Sequence, residues 1–257
     1  MNVRGIFAIA KNAFIQVIRD RILYFIGFFA ILLVVAFRLL PELSAGQQDK
    51  MSLDVGLGAI EFLTVVVGIF VGTGIINKEI EKRTVLILIP KPIDRSDLIL
   101  GKHFGLSAVL VVMVLLTAAI WMGLLAIYKI PFPIASILVS LVYLCLQLAL
   151  IGSIALLFGV LTSSILATLF TFGIYLMGNS SSALVELGKI SEDKSVELIT
   201  QIIYLILPDL SRLNLKNEAV YGVLPDPQLL LSSAVYAIVY TILVLTITTF
   251  IFSRKEF

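Results

Sequence analysis

The sequence has few charged residues: 14% of its 257 residues are Asp, Glu, Lys or Arg, against about 25% in typical soluble domains. A water-soluble fold needs a hydrated, charged surface, and this composition cannot supply one. The 60% apolar content and a mean hydropathy of +1.08 instead predict a helical protein that crosses a membrane several times. An ordinary cytosolic enzyme, a disordered regulator and a disulfide scaffold are therefore excluded.

Cysteine and histidine are almost absent, with one of each in the chain, Cys145 and His103. A single cysteine makes no intrachain disulfide, and this pair is too small a set for a zinc cluster. The net charge of +2 gives no indication of nucleic-acid binding. We expect no secretory signal peptide, because the first apolar run begins only near Ile22 and is followed by further runs.

Six apolar runs are interpreted as membrane-spanning helices, since a span needs about 20 apolar residues. The predicted spans cover residues 22–40, 55–76, 103–128, 134–160, 162–178 and 229–252. Residues 2–21 differ, because apolar residues recur there at helical spacing and cations occupy much of the other surface. This pattern predicts an amphipathic interfacial helix against membrane lipid. We therefore predict an all-α polytopic membrane protein in which residues 1–257 form one transmembrane domain.

Most lysine and arginine residues lie in the N-terminal helix, in the segment between spans two and three, and in the C-terminal tail. Cytoplasmic segments are enriched in these cations, so we predict that both termini are cytoplasmic. The long segment 179–228 then lies outside. Within it, residues 196–207 form an apolar stretch that is too short to cross, which we interpret as an external helix dipping into the outer leaflet and ending at Pro208.

Residues 77–102 form a charged cytoplasmic loop around a short apolar stretch that ends at Pro90 and Pro92. The loop begins as a helical extension of span two, and Asp94 or Ser96 is placed to cap the helix that enters span three. A short apolar helix with charged flanks lies on the membrane surface or docks in a groove of a cytoplasmic partner. A solvated loop without a partner is the third interpretation.

This loop contains, in order, Glu79-Ile80-Glu81-Lys82-Arg83-Thr84, Pro90-Lys91-Pro92-Ile93-Asp94-Arg95 and Gly101-Lys102. Here the chain resembles the ABC-2 type permease subunits of ATP-binding cassette exporters, whose pattern is roughly E-x-E-x-G-T, a short helix, P-x-x-R and a closing G-K. Arg83 stands at the usual glycine of that pattern. Residues 207–215 with the following Tyr221-Gly222, and the terminal residues 252–257, also resemble the family.

The resemblance implies that two permease subunits, identical or different, pair in a bacterial inner membrane and work with two copies of a cytoplasmic ATPase. It makes the loop 77–102 the coupling loop, and the candidate residues there are Glu79, Glu81, Lys82, Arg83, Thr84, Pro90, Pro92, Arg95, Gly101 and Lys102. It also implies that re-entrant helices between spans five and six form an outer gate. The candidate gate residues are Glu197, Gln201, Pro208 and Asp209.

The chain itself is not expected to be an enzyme or to bind a cofactor. A P-loop needs a glycine five positions before its Gly-Lys pair and Ser or Thr directly after it. The Gly-Lys pair at 101–102 has Ser96 and His103 at those positions. ATP and Mg are therefore expected on the partner ATPase.

Two charged residues, Arg38 and Glu61, fall inside predicted spans. Intramembrane charges are costly and are usually paired or turned toward a cavity, so we predict that these two side chains approach each other near the outer gate. The alternative is that each side chain reaches the headgroups separately. Gln147 in span four is interpreted as an interhelical hydrogen-bonding residue.

The sequence thus predicts a permease subunit of an ABC exporter that forms the translocation path as a dimer. A non-transporting membrane module that anchors or gates a cytoplasmic partner through the same loop is the alternative. An ion-coupled carrier ranks below both, since it would show acidic residues at the membrane midplane or broken helices with a repeat. The sequence identifies no cargo.

Overall fold

The computed structural model describes residues 3–19, 23–43, 48–81, 95–190 and 194–254. Over these ranges the chain is helical between short connections and contains no strand. The helices are α1 (Val3–Val17), α2 (Leu23–Leu43), α3 (Gln48–Glu81), α4 (Arg95–Ile127), α5 (Ile134–Leu161), α6 (Ser164–Asn179), α7 (Ser181–Ile190), α8 (Lys194–Ile206), α9 (Lys216–Tyr221) and α10 (Pro227–Arg254). A short 3-10 helix, Leu210–Leu213, lies between α8 and α9.

Four helices of the described chain are long and apolar enough to cross a membrane. The stretches are Asp49–Asn77, Arg95–Ile127, Ile134–Leu161 and Pro227–Arg254, which correspond to predicted spans two, three, four and six. Predicted spans one and five correspond to the shorter apolar stretches Tyr24–Leu39 in α2 and Ser164–Asn179 in α6. An all-helical membrane fold is confirmed, and the number of six spans stays a prediction.

Helix α5 lies at the centre of the fold. It packs against α3, α4, α6 and α10, and also against α9 and the 3-10 helix. Every residue from 150 to 156 is buried, as expected for a helix that is apolar all round. Small residues bring α3 and α5 close together, because a Cβ on Gly72 would lie only 2.8 Å from the Cβ of Ala155.

Helix α1 packs tightly against α4, and two glycines of α4 allow this contact. A Cβ on Gly101 would lie 2.7 Å from the Cβ of Ile9. A Cβ on Gly105 would lie 2.7 Å from both the Ala10 carbonyl oxygen and the Ala13 Cβ. Because these glycines are one turn apart on one face, they form the small-residue surface on which α1 rests.

The helix that enters span three begins beside the predicted cap positions, Asp94 and Ser96, and ahead of the predicted span. It starts at Arg95, whereas the predicted span starts at His103. The intervening charges had argued against a span, yet Asp97, Lys102 and His103 are only 2%, 3% and 4% exposed. Other parts of the fold pack over these polar residues. Hydropathy along the sequence does not indicate such burial. Ser96 is therefore a helical residue of the first turn and not the cap.

Helices α7 and α8 pack against each other between α6 and α10 in the sequence. The predicted external helix over residues 196–207 falls within α8, which ends at Ile206 ahead of Pro208. Its helical character and its end are confirmed. Its depth in the outer leaflet stays a prediction.

Candidate functional site

One end of the molecule brings together the start of α4 and the end of α10. Nη1 of Arg95 donates hydrogen bonds to the backbone oxygens of Phe252 at 3.1 Å and Ser253 at 2.8 Å. Carbonyls in the last turn of a helix have no partner within the helix, and a cation there also complements the helix dipole. Arg95, which lies within the predicted loop 77–102, therefore ties the start of α4 to the C-terminal end of α10.

A second polar centre is the Asp209 cluster, defined as Asp209 with Ser181, Tyr204, Ser211 and Arg212. The Asp209 carboxylate accepts hydrogen bonds from Ser181 Oγ at 2.7 Å, Tyr204 Oη at 3.2 Å, Arg212 Nε at 2.9 Å and Ser211 Oγ. Nη2 of Arg212 also donates to Tyr204 Oη at 2.9 Å. One buried carboxylate thus holds α7, α8 and the 3-10 helix together.

The same cluster is attached to α10 through Tyr236. The backbone N–H of Asp209 donates to Tyr236 Oη at 2.8 Å, and the Arg212 guanidinium lies 5.3 Å from the centre of the Tyr236 ring. One turn further along α10, Tyr240 Oη donates to the backbone oxygen of Ile206 at 2.8 Å. The end of α8 and the segment that follows it are therefore bound to two successive turns of α10.

The electrostatics of the Asp209 cluster favour an ionised carboxylate. Burial by itself raises the pKa of Asp209, but the hydrogen bonds from its four side-chain donors outweigh burial. The pKa of Asp209 consequently lies below its ordinary value of 3.8. At neutral pH the carboxylate is charged, and Arg212 supplies the opposite charge at 2.9 Å.

A third polar centre surrounds Glu61, which is half-buried on α3. Its carboxylate accepts hydrogen bonds from Tyr175 Oη at 3.2 Å and from Asn214 Nδ2 at 3.3 and 3.4 Å, and it has a longer contact of 3.5 Å with Gln147 Nε2. These donors are neutral and come from α6, the segment before α9, and α5. Long hydrogen bonds of this kind are individually weak, so the carboxylate depends on all three neighbours together.

A cleft opens beside Glu61, and its polar lining includes Ser140, Gln147, Asn214 and Lys216. Lys216 Nζ forms an ion pair with Asp54 Oδ1 at 3.1 Å. Since Asp54 and Glu61 are about two turns apart on α3, the segment 214–216 contacts both acidic residues of one helix face. This segment therefore covers one side of the cleft.

Comparison with protein families identifies the family to which this protein belongs. The family model described as ABC-2 family transporter protein matches residues 7–257. The chain belongs to the ABC-2 transporter family. It is thus the permease component of an ABC transporter, and such permeases generally work with a cytoplasmic ATPase. Comparison with individual curated proteins finds no match.

The coupling residues predicted for the ABC-2 permease divide into separate groups. Lys82, Arg83, Thr84, Pro90 and Pro92 lie outside the described residues. Glu79 and Glu81 lie in the last described turns of α3, with their side chains outside the description. Arg95 binds α10, whereas Gly101 and Lys102 lie inside α4 and are buried. Helix α1 covers the face of α4 that carries Gly101. The role of these residues in coupling stays a prediction.

The predicted gate residues of the permease have equally distinct places. Asp209 is the centre of its cluster, and Pro208 is buried beside the end of α6, where a Cβ on Gly178 would lie 2.7 Å from the Pro208 oxygen. Gln201 is exposed on α8, and the side chain of Glu197 lies outside the description.

Sequence reasoning about the permease missed the partners of Asp209. The local pattern of an acid followed by donors two and three residues later, as in Asp209, Ser211 and Arg212, is a recognisable signal for side-chain bonding within a turn. Ser181 and Tyr236 come from other helices and have no such signal. The structure alone reveals that they meet at Asp209.

The predicted pairing of Arg38 with Glu61 is not among the described contacts of the permease. Arg38 is exposed on α2, and the described donors to Glu61 are Tyr175, Asn214 and Gln147. The pairing stays a prediction, which the charge swap R38E/E61R tests. The contact of Gln147 with Glu61 agrees with the interhelical role predicted for Gln147.

Proposed function

We propose that this ABC-2 permease works in an exporter as one of two permease subunits, identical or different, that together form the translocation path. The observation that carries the proposal is family membership over residues 7–257. In this proposal six helices span a bacterial inner membrane and both termini are cytoplasmic. Two copies of an ATPase subunit bind ATP and Mg and drive transport.

The loop between Glu81 and Arg95 is the proposed contact with the ATPase. Its candidate contact residues are Glu79, Glu81, Lys82, Arg83, Thr84, Pro90 and Pro92. The contacts at its end support this role, because Arg95 binds the end of α10 and the following turns of α4 support α1. A displacement of the loop would therefore move three helices together.

Helices α7 and α8 are the proposed outer gate, and the Asp209 cluster is what holds them to α10. From Tyr236 to Phe252, α10 covers about 24 Å at 1.5 Å per residue. This is most of a hydrocarbon core of about 30 Å. Helix α10 thus offers a rigid connection between the loop end, where Arg95 binds it, and the gate end, where Tyr236 binds Asp209.

Affinity purification of the tagged permease from native membranes, with identification of co-purifying chains, tests the assembly. The proposal requires an ABC ATPase, and it requires a second permease copy or a related permease. Recovery of the permease as a lone chain under conditions that preserve other ABC complexes would overturn it.

Charge reversal at each end of α3 then tests whether the loop couples the permease to the ATPase. Glu81→Lys is expected to abolish stimulation of the co-purified ATPase and transport in vesicles, with assembly retained. Asp49→Lys, at the opposite end of the same helix, is the matched control and is expected to leave both activities near wild type. Wild-type stimulation by Glu81→Lys would contradict the coupling assignment. Stimulation without vectorial transport of any tested cargo would favour the non-transporting module.

A further inference from the structure

A groove runs along the surface of the bundle between the start of α4 and the last turns of α10. Helix α4 contributes Ser96 and Leu100. Helix α10 contributes one stripe at helical spacing, formed by Ile242, Leu245, Thr246, Thr249, Phe250 and Ser253. The stripe is about 16 Å long at 1.5 Å per residue, which is close to half of a hydrocarbon core of about 30 Å. Its length therefore equals the depth of one leaflet.

Two guanidinium groups lie at the same end of this groove. Arg95 precedes Ser96 of the lining and donates to the backbone oxygen of Ser253, which also lines the groove. Arg254 follows Ser253, and its guanidinium lies 4.3 Å from the centre of the Phe250 ring. Both arginines are exposed. The contact of Arg254 with the ring uses none of its five N–H donors.

We propose that this groove binds one anionic phospholipid, with an acyl chain along the α10 stripe and the phosphate against Arg95 and Arg254. A guanidinium binds phosphate through paired, charge-assisted hydrogen bonds. Ser96 and Ser253 line the groove and directly neighbour Arg95 and Arg254 in sequence, so their hydroxyl groups are expected near the ester oxygens of such a lipid. The site depends only on the two spans α4 and α10, so it does not require that the proposed exporter function be correct.

Charge and length together favour a lipid over a protein partner. A second polypeptide on this groove would have to supply carboxylates to both guanidinium groups and an apolar surface only one leaflet deep. An anionic phospholipid provides both in one molecule. Because Arg95 also holds the end of α10, the bound phosphate would stabilise that junction.

Native mass spectrometry of the delipidated full-length protein with defined lipids tests the site. The probes are dioleoylphosphatidylglycerol and, as the neutral lipid of the same chains, dioleoylphosphatidylcholine. The wild type is expected to bind one phosphatidylglycerol per chain in preference to phosphatidylcholine. Arg254→Gln is expected to lower the phosphatidylglycerol affinity about fivefold, the usual contribution of one cation at a membrane surface. Thr249→Trp fills the groove and is expected to remove the tight binding of both lipids.

Lys129→Gln is the control, since Lys129 is an exposed cation in the connection between α4 and α5, outside the groove. It is expected to keep wild-type phosphatidylglycerol affinity. Equal losses in Lys129→Gln and Arg254→Gln would overturn the proposal in favour of general surface attraction. Unchanged lipid binding in Thr249→Trp would overturn it as well, and loss of subunit association in that variant with lipid binding intact would identify a protein interface. If Arg254→Gln fails to fold, the lipid binding of Thr249→Trp alone tests the proposal.

Discussion

Arg95 and Ser253 are 158 residues apart in sequence, yet Nη1 of Arg95 donates to the Ser253 backbone oxygen at 2.8 Å. The bond joins a residue of the predicted coupling loop 77–102, at the start of α4, to the last turn of α10. Arg95 was predicted as a coupling residue on the strength of a family resemblance. The structure gives it a different immediate task, because its guanidinium holds a helix end in place.

Loss of this junction is expected to loosen the end of α10. Arg95→Ala removes a charged donor from two backbone oxygens, and we expect a cost of about 1.5 kcal/mol in the free energy of unfolding. Hydrogen exchange is expected to be faster in the last turn of α10, which includes Phe252 and Ser253. Thermal denaturation in detergent and exchange mass spectrometry check the two effects.

Arg4→Ala is the control for that measurement, because it removes an exposed arginine from α1. It is expected to leave exchange in α10 unchanged. Exchange in the last turn of α10 that is as slow in Arg95→Ala as in the wild type would show that the junction contributes nothing.

Alanine substitutions at two glycines of α4 test the contact between α1 and α4. Gly105→Ala places a Cβ 2.7 Å from the backbone oxygen of Ala10, and the clash is expected to destabilise the protein by about 1–3 kcal/mol. Gly123→Ala meets no atom within 4 Å and is expected to be neutral or stabilising by about 0.5–1 kcal/mol. Thermal denaturation of both variants is the measurement, together with proteolysis of α1. Equal stability of the two variants would contradict the close packing.

The Asp209 cluster predicts a specific loss of stability in acid. The pKa of Asp209 is lower in the folded protein than its ordinary value of 3.8, so the folded state binds its proton less readily than the unfolded state. The contribution of this carboxylate to stability is therefore complete above about pH 4 and declines as the pH falls through the folded pKa. Melting temperatures from pH 3 to 7 measure the effect.

Asp209→Asn is expected to be about 2 kcal/mol less stable than the wild type at neutral pH, because Arg212 loses its charged partner. The stability of this variant is also expected to fall less in acid than that of the wild type. Glu186→Gln, which removes an exposed acid from α7, is the control and is expected to follow the wild-type profile. An Asp209→Asn profile parallel to that of the wild type would refute the assignment.

Glu61 and Tyr175 are expected to be energetically coupled. Tyr175→Phe removes the hydroxyl that donates to Glu61 at 3.2 Å, at an expected cost of about 1 kcal/mol. The same change in a Glu61→Gln background is expected to cost less, since the charged acceptor is gone. A double-mutant cycle on thermal stability checks this, with Tyr221→Phe at an exposed position as the control. Strictly additive effects would show that the two side chains act independently.

Several elements were predictable from the sequence because their signals are local. The end of α8 ahead of Pro208 follows from the chemistry of proline, and the helical extension of span two was predicted at the charged start of the loop 77–102. The burial of Asp97 and Lys102 in α4 was not predictable, because it depends on other parts of the fold that pack over them. Likewise, nothing local indicates that Ser181 and Tyr236 converge on Asp209.

The sequence by itself determined that this chain is a helical membrane protein of the ABC-2 type, since apolar runs, scarce charge and motif order are properties of the linear chain. The tertiary structure alone decided the partners of its few polar residues. Glu61 meets neutral donors from other helices, and Ser181 and Tyr236 meet at Asp209. The physical reason is that a polar group buried away from water must find its partner in space, and the residue that satisfies it is usually distant in sequence.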